Sequence, residues 1–166
     1  MNSNLYKKGF VSNLAVLLIF GFLLAVTIVI SWIWYSSVND AIQANLNIPD
    51  SAKEISQDYA DKYVNIWDVV FLVIFVGLIL AGVITVLFID THPVFFFFTL
   101  LATVALLIVG AALGNAYGAF ATQDAVSRYA SDFIFLPFIM SNILQILIVV
   151  SGVYTVIFFV KSRSTI

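Results

Sequence analysis

The sequence contains no cysteine, a single histidine and few charged residues, and each scarcity excludes a class of protein. Without cysteine, the 166-residue chain forms no disulfide, zinc–thiolate site or iron–sulfur cluster, and it carries no lipid on cysteine. Only 10% of the residues are charged, and no cluster of lysines or arginines is present to neutralise a row of phosphates. Nucleic acid is therefore not an expected partner.

Apolar residues, in contrast, are abundant. They make up 63% of the chain, and the mean hydropathy of +1.10 indicates more apolar surface than a soluble core of this size can bury. Four segments are long enough to cross a bilayer, at about residues 11–35, 69–89, 94–115 and 133–160. The sequence predicts an all-α integral membrane protein, in which residues 1–166 form a single transmembrane domain, an antiparallel bundle of four transmembrane helices.

The stretch FIDTHPVFFFF, residues 88–98, interrupts the apolar sequence between the second and third segments. Pro93 lacks an amide hydrogen and restrains His92 from helical angles, so one helix is expected to end near Asp90 and the next to begin with Pro93. Asp90 or Thr91 can cap the new helix. His92 is therefore expected in a turn at the lipid headgroups. With no second histidine and no cysteine beside it, neither a metal site nor a cofactor is expected.

The distribution of charge predicts the orientation. Four crossings put both termini and the His92 turn on one side, with four basic residues and one acid: Lys7, Lys8, Lys161, Arg163 and Asp90. The other side carries three basic and eight acidic residues. Because basic flanks stay cytoplasmic, both termini are expected on the cytoplasmic or interior side, with the polar loops outside. The tryptophans agree, since all lie at predicted outer ends: Trp32, Trp34 and Trp67.

The first outer loop, residues 36–68, contains a segment with helical spacing. Ser51 and Glu54 form a capping-box pattern, and four larger apolar side chains then recur at helical intervals: Ile55, Tyr59, Tyr63 and Ile66. We expect a short amphipathic helix over about 51–66 that runs into the second transmembrane helix. It either lies on the lipid or on the other loop, or it docks a partner protein through Ile55, Asp58, Tyr59, Asp61 and Tyr63.

Three glycines in the third segment, Gly110, Gly114 and Gly118, repeat at intervals of four residues. This spacing places them on one stripe of a helix, where another helix backbone can approach closely. The stripe predicts a helix contact. Its partner is the second or fourth helix of the same chain or, in a homo-oligomer, another copy.

The polar residues inside the apolar segments indicate whether the protein could transport ions or solutes. The four predicted membrane interiors contain no Asp, Glu, Lys, Arg or His, which argues against a proton or ion pump. Asn142 and Gln145 lie three residues apart in the fourth segment and are expected to bond across helices and fix its docking, with a pore-lining role as the alternative.

Motifs of enzymes are missing as well. No nucleophile–base pair, phosphate-binding loop or HExxH-type motif occurs, and the acids are expected in solvated loops. The chain is therefore not expected to be an enzyme.

One arrangement of short motifs resembles a known group of proteins. A THPVF turn, a small-residue helix running into NAYGAF, an FIMSN segment and a basic tail occur in that order over residues 66–163. This order resembles small membrane proteins encoded by bacteriophages that carry a lipid membrane or a membrane-assembled coat. The resemblance depends on a small set of residues: Thr91, His92, Pro93, Asn115, Tyr117, Phe120, Met140 and Asn142. It implies a component of the virion membrane, or an assembly factor in the host cytoplasmic membrane.

Two functions follow from these patterns. The first is a structural protein that organises the lipid layer of a bacteriophage virion and docks to capsid or spike proteins through its outer loops. Its partners would be the bilayer and other virion or membrane proteins. The second is a small cellular transporter or channel accessory subunit, favoured if Asn142 and Gln145 line an aqueous path. A holin-like protein that permeabilises the membrane is a third alternative.

Overall fold

The computed structural model of the protein describes residues 9–88 and 93–164. The regular secondary structure within these ranges is helical, and the helices follow in the order α1 Gly9–Ala44, α2 Asp50–Phe88, α3 Pro93–Ala121, α4 Asp124–Ala130, α5 Phe135–Ser141 and α6 Ile143–Ser164.

In the described part of the chain, four helices are long and apolar enough to cross a membrane. Their candidate spans are Leu14–Ala44 in α1, Asp50–Leu87 in α2, Leu100–Ala121 in α3 and Ile143–Lys161 in α6. Helices α1 and α2 form an antiparallel hairpin with the most extensive contact of the described helices, whereas α3 packs mainly on α6 and α1 and makes little contact with α2. The predicted all-α fold with four candidate membrane-spanning helices is confirmed.

The hydrophobic core lies where these helices face one another. Its buried side chains recur at intervals of one or two helical turns, as helical periodicity requires: Leu14, Leu17, Leu18, Ala25, Ile28 and Val29 in α1, Phe71 and Phe75 in α2, and Leu147, Val150 and Tyr154 in α6. The outer faces are apolar too, and side chains such as Val73, Leu101 and Val149 are exposed. Helices that are apolar all round suit a surrounding of hydrocarbon.

The ends of the first helices differ from the expected boundaries. The predicted first helix stopped near residue 35, whereas α1 continues to Ala44. The predicted amphipathic helix over 51–66 is the first part of α2 and has no boundary before the membrane segment. The helix begins at Asp50 and not after Ser51, because the Pro49 carbonyl accepts the amides of Ala52 and Lys53. The predicted loop 36–68 is thus reduced to residues 45–49.

The fourth segment is not one helix. The prediction of continuous helix over 133–160 is wrong, because α5 ends at Ser141 and α6 begins at Ile143. Asn142 between them has φ −106° and ψ 16°, outside the helical range, and its amide hydrogen bonds to the Phe138 carbonyl. A short helix that was not expected, α4, precedes this pair, and α3 reaches Ala121 where an end near residue 115 was predicted.

The orientation across the membrane is testable by labelling. The α1–α2 connection is well exposed, since Leu46 is 95% accessible. A single cysteine at Asn47 is expected to react with an impermeant maleimide from outside the cell, and one at Ser3 only after the membrane is opened. Because the natural chain has no cysteine, the unmodified protein is the blank. Labelling of both positions from the same side would contradict the four-crossing topology.

Candidate functional site

In the predicted orientation, the part of the structure that projects furthest from the membrane is the outer end of the α1–α2 hairpin. Lys161 in α6 donates a hydrogen bond to the Leu87 carbonyl in α2, so these two residues lie at the same level, at the end predicted to be the inner one. From Leu87 to Asp68, α2 rises by about 28 Å, close to the ~30 Å thickness of a hydrocarbon layer. The 18 residues from Asp50 to Trp67 add about 27 Å beyond Asp68. We call residues 36–66 the hairpin head.

A polar network ties the two helices of the hairpin head together. The Asn39 side chain is buried, donates to Gln57 Oε1 at 3.1 Å and accepts from Ser56 Oγ at 2.7 Å. Gln43 Nε2 donates to the Lys53 carbonyl at 2.9 Å, and the Tyr35 hydroxyl donates to the Ser56 carbonyl at 3.0 Å. In each of these four bonds the partner lies on the opposite helix, so they hold α1 and α2 side by side in the part predicted to lie outside the bilayer.

Aromatic rings fill the base of the hairpin head. Tyr63 stacks on Trp32 with ring centroids 5.2 Å apart and on Tyr35 with centroids 5.7 Å apart. Tyr35 also meets Tyr59 edge to face at 4.9 Å. Tyr63 is only 7% exposed, because the helix turns this side chain toward α1, so it is not on the accessible surface where a docking residue was expected. Trp34, in contrast, is exposed as a residue of an interfacial belt would be.

The outward surface of the hairpin head combines acids with apolar side chains. Ile55 is 72% exposed and Tyr59 is 48% exposed. Asp58 forms an ion pair with Lys62 at 2.7 Å, and Asp61 accepts a hydrogen bond from Gln57. The hairpin head contains five acids and two lysines, a net charge of −3: Asp40, Asp50, Glu54, Asp58 and Asp61 against Lys53 and Lys62. Four of the five residues predicted to dock a partner are therefore accessible on one acidic surface.

Asp68, at the base of the hairpin, was expected in a solvated loop but is 4% exposed. Its carboxylate accepts three backbone amides at 2.8 Å, those of Ile134 and Phe135 on Oδ2 and that of Leu136 on Oδ1. These amides begin α5 and have no partner within that helix, so the buried carboxylate supplies their acceptors. The bonds join α2 to α5. No local sequence pattern distinguishes Asp68 from the exposed acids, because its burial depends on a segment 66 residues away.

A second bond reinforces this junction. The indole of Trp32 in α1 donates to Asp132 Oδ2 at 2.8 Å. Asp132 lies just before α5, in the connection after α4. The outer ends of α1 and α2 are therefore both attached to the α4–α5 connection, which fixes the base of the hairpin head on the bundle.

The glycine stripe of α3 contacts the end of the chain over part of its length. A Cβ at Gly110 would lie 2.3 Å from Leu147 Cδ1, and one at Gly114 would lie 2.8 Å from Ile143 Cγ2 and 3.3 Å from the Met140 carbonyl oxygen. At Gly118, an added Cβ would meet nothing within 4 Å. Two of the three glycines thus allow α3 to approach α5 and α6, and the third faces open space.

Asn142 and Gln145, the two amide side chains of the fourth segment, do not form, within the described part of the chain, the hydrogen bonds to other helices that were expected of them. Asn142 Nδ2 donates to the Phe138 carbonyl at 2.8 Å, one turn back in its own segment, so the predicted bond to another helix is wrong for Asn142. The Asn142 side chain takes up a carbonyl at the break between α5 and α6. The Gln145 side chain is exposed at the surface of the helix bundle.

The turn that contains the single histidine is only partly described. Asp90, Thr91 and His92 lie outside the described residues. Pro93 is the first residue of α3, a position where its missing amide hydrogen leaves no acceptor unpaired. Among the described residues, no group of three or more His, Asp or Glu side chains is arranged to hold a metal ion.

Comparison with known proteins found no match: no family model, no curated protein and no solved structure matches this chain.

Proposed function

We propose that this chain is a structural integral membrane protein whose hairpin head docks a protein outside the lipid layer. The observation that carries the proposal is the hairpin head itself, in which α2 extends by about 25 Å beyond the predicted membrane surface and is cross-bonded to the polar end of α1. Such a projection has no use in anchoring the bundle in lipid. It is suited to meet another protein at a fixed distance from the membrane.

The chemistry of the hairpin head favours a partner with a basic surface. Its net charge of −3 attracts cationic groups, and charge complementarity of this kind directs encounter and register. Ile55 and Tyr59 provide apolar anchors beside the acids. Apolar anchors surrounded by charged side chains are the usual composition of a protein interface.

The more specific proposal is a membrane protein of a bacteriophage virion, attached to capsid or spike proteins through the hairpin head. Support comes from the resemblance of the THPVF, NAYGAF and FIMSN motifs to small phage membrane proteins. It also comes from a chain in which most residues serve lipid contact and helix packing. The proposal assigns no catalytic step to the protein.

The docking proposal is tested by reversing charge on the hairpin head. In a doubly substituted chain with Asp58→Lys and Asp61→Lys, retention of the protein on purified, delipidated particles is expected to fall roughly five- to tenfold, because two attractive contacts become repulsive. Helix content by circular dichroism is expected to stay the same, since both side chains are exposed. The control carries Asp124→Lys and Ser127→Lys on α4, which adds positive charge to the outer surface away from the hairpin head.

Two results would contradict the proposal. If both doubly substituted chains were retained equally, the hairpin head would not be the docking surface. If the protein were absent from particles and conducted solute in liposomes, with flux abolished by Gln145→Leu, the transport alternative would replace the structural one.

A further inference from the structure

An open groove of about 580 Å³ lies between the outer end of α3 and the junction of α5 with α6. Gly114 and Gly118 line the α3 wall, and Gly118 leaves open space there. Four polar side chains line the groove: Asn115 from α3, Thr122 from the connection directly after α3, Ser141 from α5 and Gln145 from α6. The residues described as lining it include no charged side chain. We call it the outer groove.

The depth of the outer groove follows from helix geometry. Gln145 precedes Lys161 by 16 residues in α6, so it lies about 24 Å above the inner end of the bundle. In a hydrocarbon layer of ~30 Å, this is about 6 Å below the outer edge, where the lipid glycerol backbone and headgroup begin, and Ser141 lies one turn further out. The polar side chains of the outer groove are therefore at the level of the polar part of a lipid.

A second groove of about 350 Å³ lies beside the outer groove and reaches further inward. Gln145 lines both grooves. From Gln145 the second groove runs inward along α6 past Ile146, Val149 and Val150, with Phe138 and Asn142 at its outer end. Its surface is almost entirely apolar along the part that faces the middle of the membrane. Together the two grooves have a polar end at headgroup depth and an apolar continuation toward the centre of the bilayer.

We infer that the two grooves bind one lipid with an uncharged, hydroxyl-rich head, a glycosyl diacylglycerol, whose sugar occupies the outer groove and one acyl chain the second groove. The amides of Asn115 and Gln145 each offer donors and an acceptor, which match the hydroxyls of a sugar. Thr122 donates to the Gly118 carbonyl and keeps its oxygen as an acceptor. A phosphate head would need an arginine or lysine, and the described lining has none. This inference does not depend on the proposed function.

The test measures which lipid the full chain selects. The protein is placed in nanodiscs of phosphatidylcholine that contain equal small amounts of galactosyl diacylglycerol and phosphatidylglycerol, and the lipids retained after mild detergent extraction are quantified by mass spectrometry. We expect retained galactolipid to exceed its bulk share. In the chain with Asn115→Leu and Gln145→Leu, the enrichment is expected to fall about tenfold, because hydrogen bonds to the sugar are lost. Asn47→Leu, in the exposed α1–α2 connection, is the control for added apolar surface and is expected to leave the enrichment unchanged.

Three outcomes would overturn the inference. Equal retention of all three lipids would mean that the groove holds bulk lipid without selection, and preferential retention of phosphatidylglycerol would mean that an anionic head binds. If the double substitution changed the mass of the protein assembly in native mass spectrometry and left the lipid unaffected, a second copy of the chain would occupy the groove. Circular dichroism of the substituted chain verifies that it is folded, as expected for exposed positions.

Discussion

Replacement of Asp68 by alanine is expected to destabilise the protein more than any other substitution of an acid in the described chain. It removes the acceptors of three amides at the start of α5, where Asp68 is 4% exposed and water cannot easily replace it. A fully buried donor left without a partner costs about 1 to 3 kcal/mol, and because two of the three bonds are only part-buried, a total loss of about 3 to 5 kcal/mol is expected. The bond of Trp32 to Asp132 should weaken as well, because the connection that carries Asp132 loses its attachment to α2.

The measurement is thermal unfolding in detergent micelles, followed by tryptophan fluorescence. Trp32 and Trp67 lie near the junction and report on it directly. Asp68→Asn keeps one oxygen as an acceptor and should lose less stability, while Asp40→Ala removes an exposed acid and should change it by less than about 0.5 kcal/mol. Equal melting of the Asp68→Ala and Asp40→Ala proteins would show that the bonds to α5 contribute nothing.

The second large effect is expected from filling the α3 contact. In Gly114→Leu, the new side chain would collide with Ile143 and with the Met140 carbonyl, so α3 and the α5–α6 segment must move apart. Overfilling a packed contact costs about 1 to 3 kcal/mol or more, and here part of the obstacle is backbone. The yield of monodisperse protein after detergent extraction should fall accordingly.

Gly118→Leu is a closely matched control. It makes the same exchange on the same helix, with the same gain in helix propensity, but an added Cβ there meets nothing within 4 Å. We expect this variant to fold in normal yield. Similar losses for both variants would mean that leucine in this stretch of α3 is harmful for a reason other than the contact with α5 and α6.

In the candidate site, local sequence patterns predicted the helix but not which of its side chains are buried. The spacing of Ile55 and Tyr59 predicted a helix outside the membrane, and both side chains are accessible there. Tyr63 belongs to the same periodic pattern but points into the aromatic cluster. Periodicity identifies the residues that share a face, yet it does not tell which face the neighbouring helix covers. That choice required the position of α1.

The sequence by itself determined that the chain is helical and has four segments able to cross a membrane. Length and hydropathy are properties of each segment alone, and a chain in lipid must satisfy its backbone hydrogen bonds within the segment. Pro93 likewise marked the start of α3, since proline acts on the residues next to it.

Tertiary structure alone decided the continuation of α1 to Ala44 and the burial of Asp68. The polar residues of the hairpin head remain helical where the opposite helix supplies partners for Asn39 and Gln43. Asp68 is an interior residue only because the start of α5 closes over it. Each of these features depends on groups far apart in sequence and adjacent in space, so its stabilisation exists only after the helices have packed.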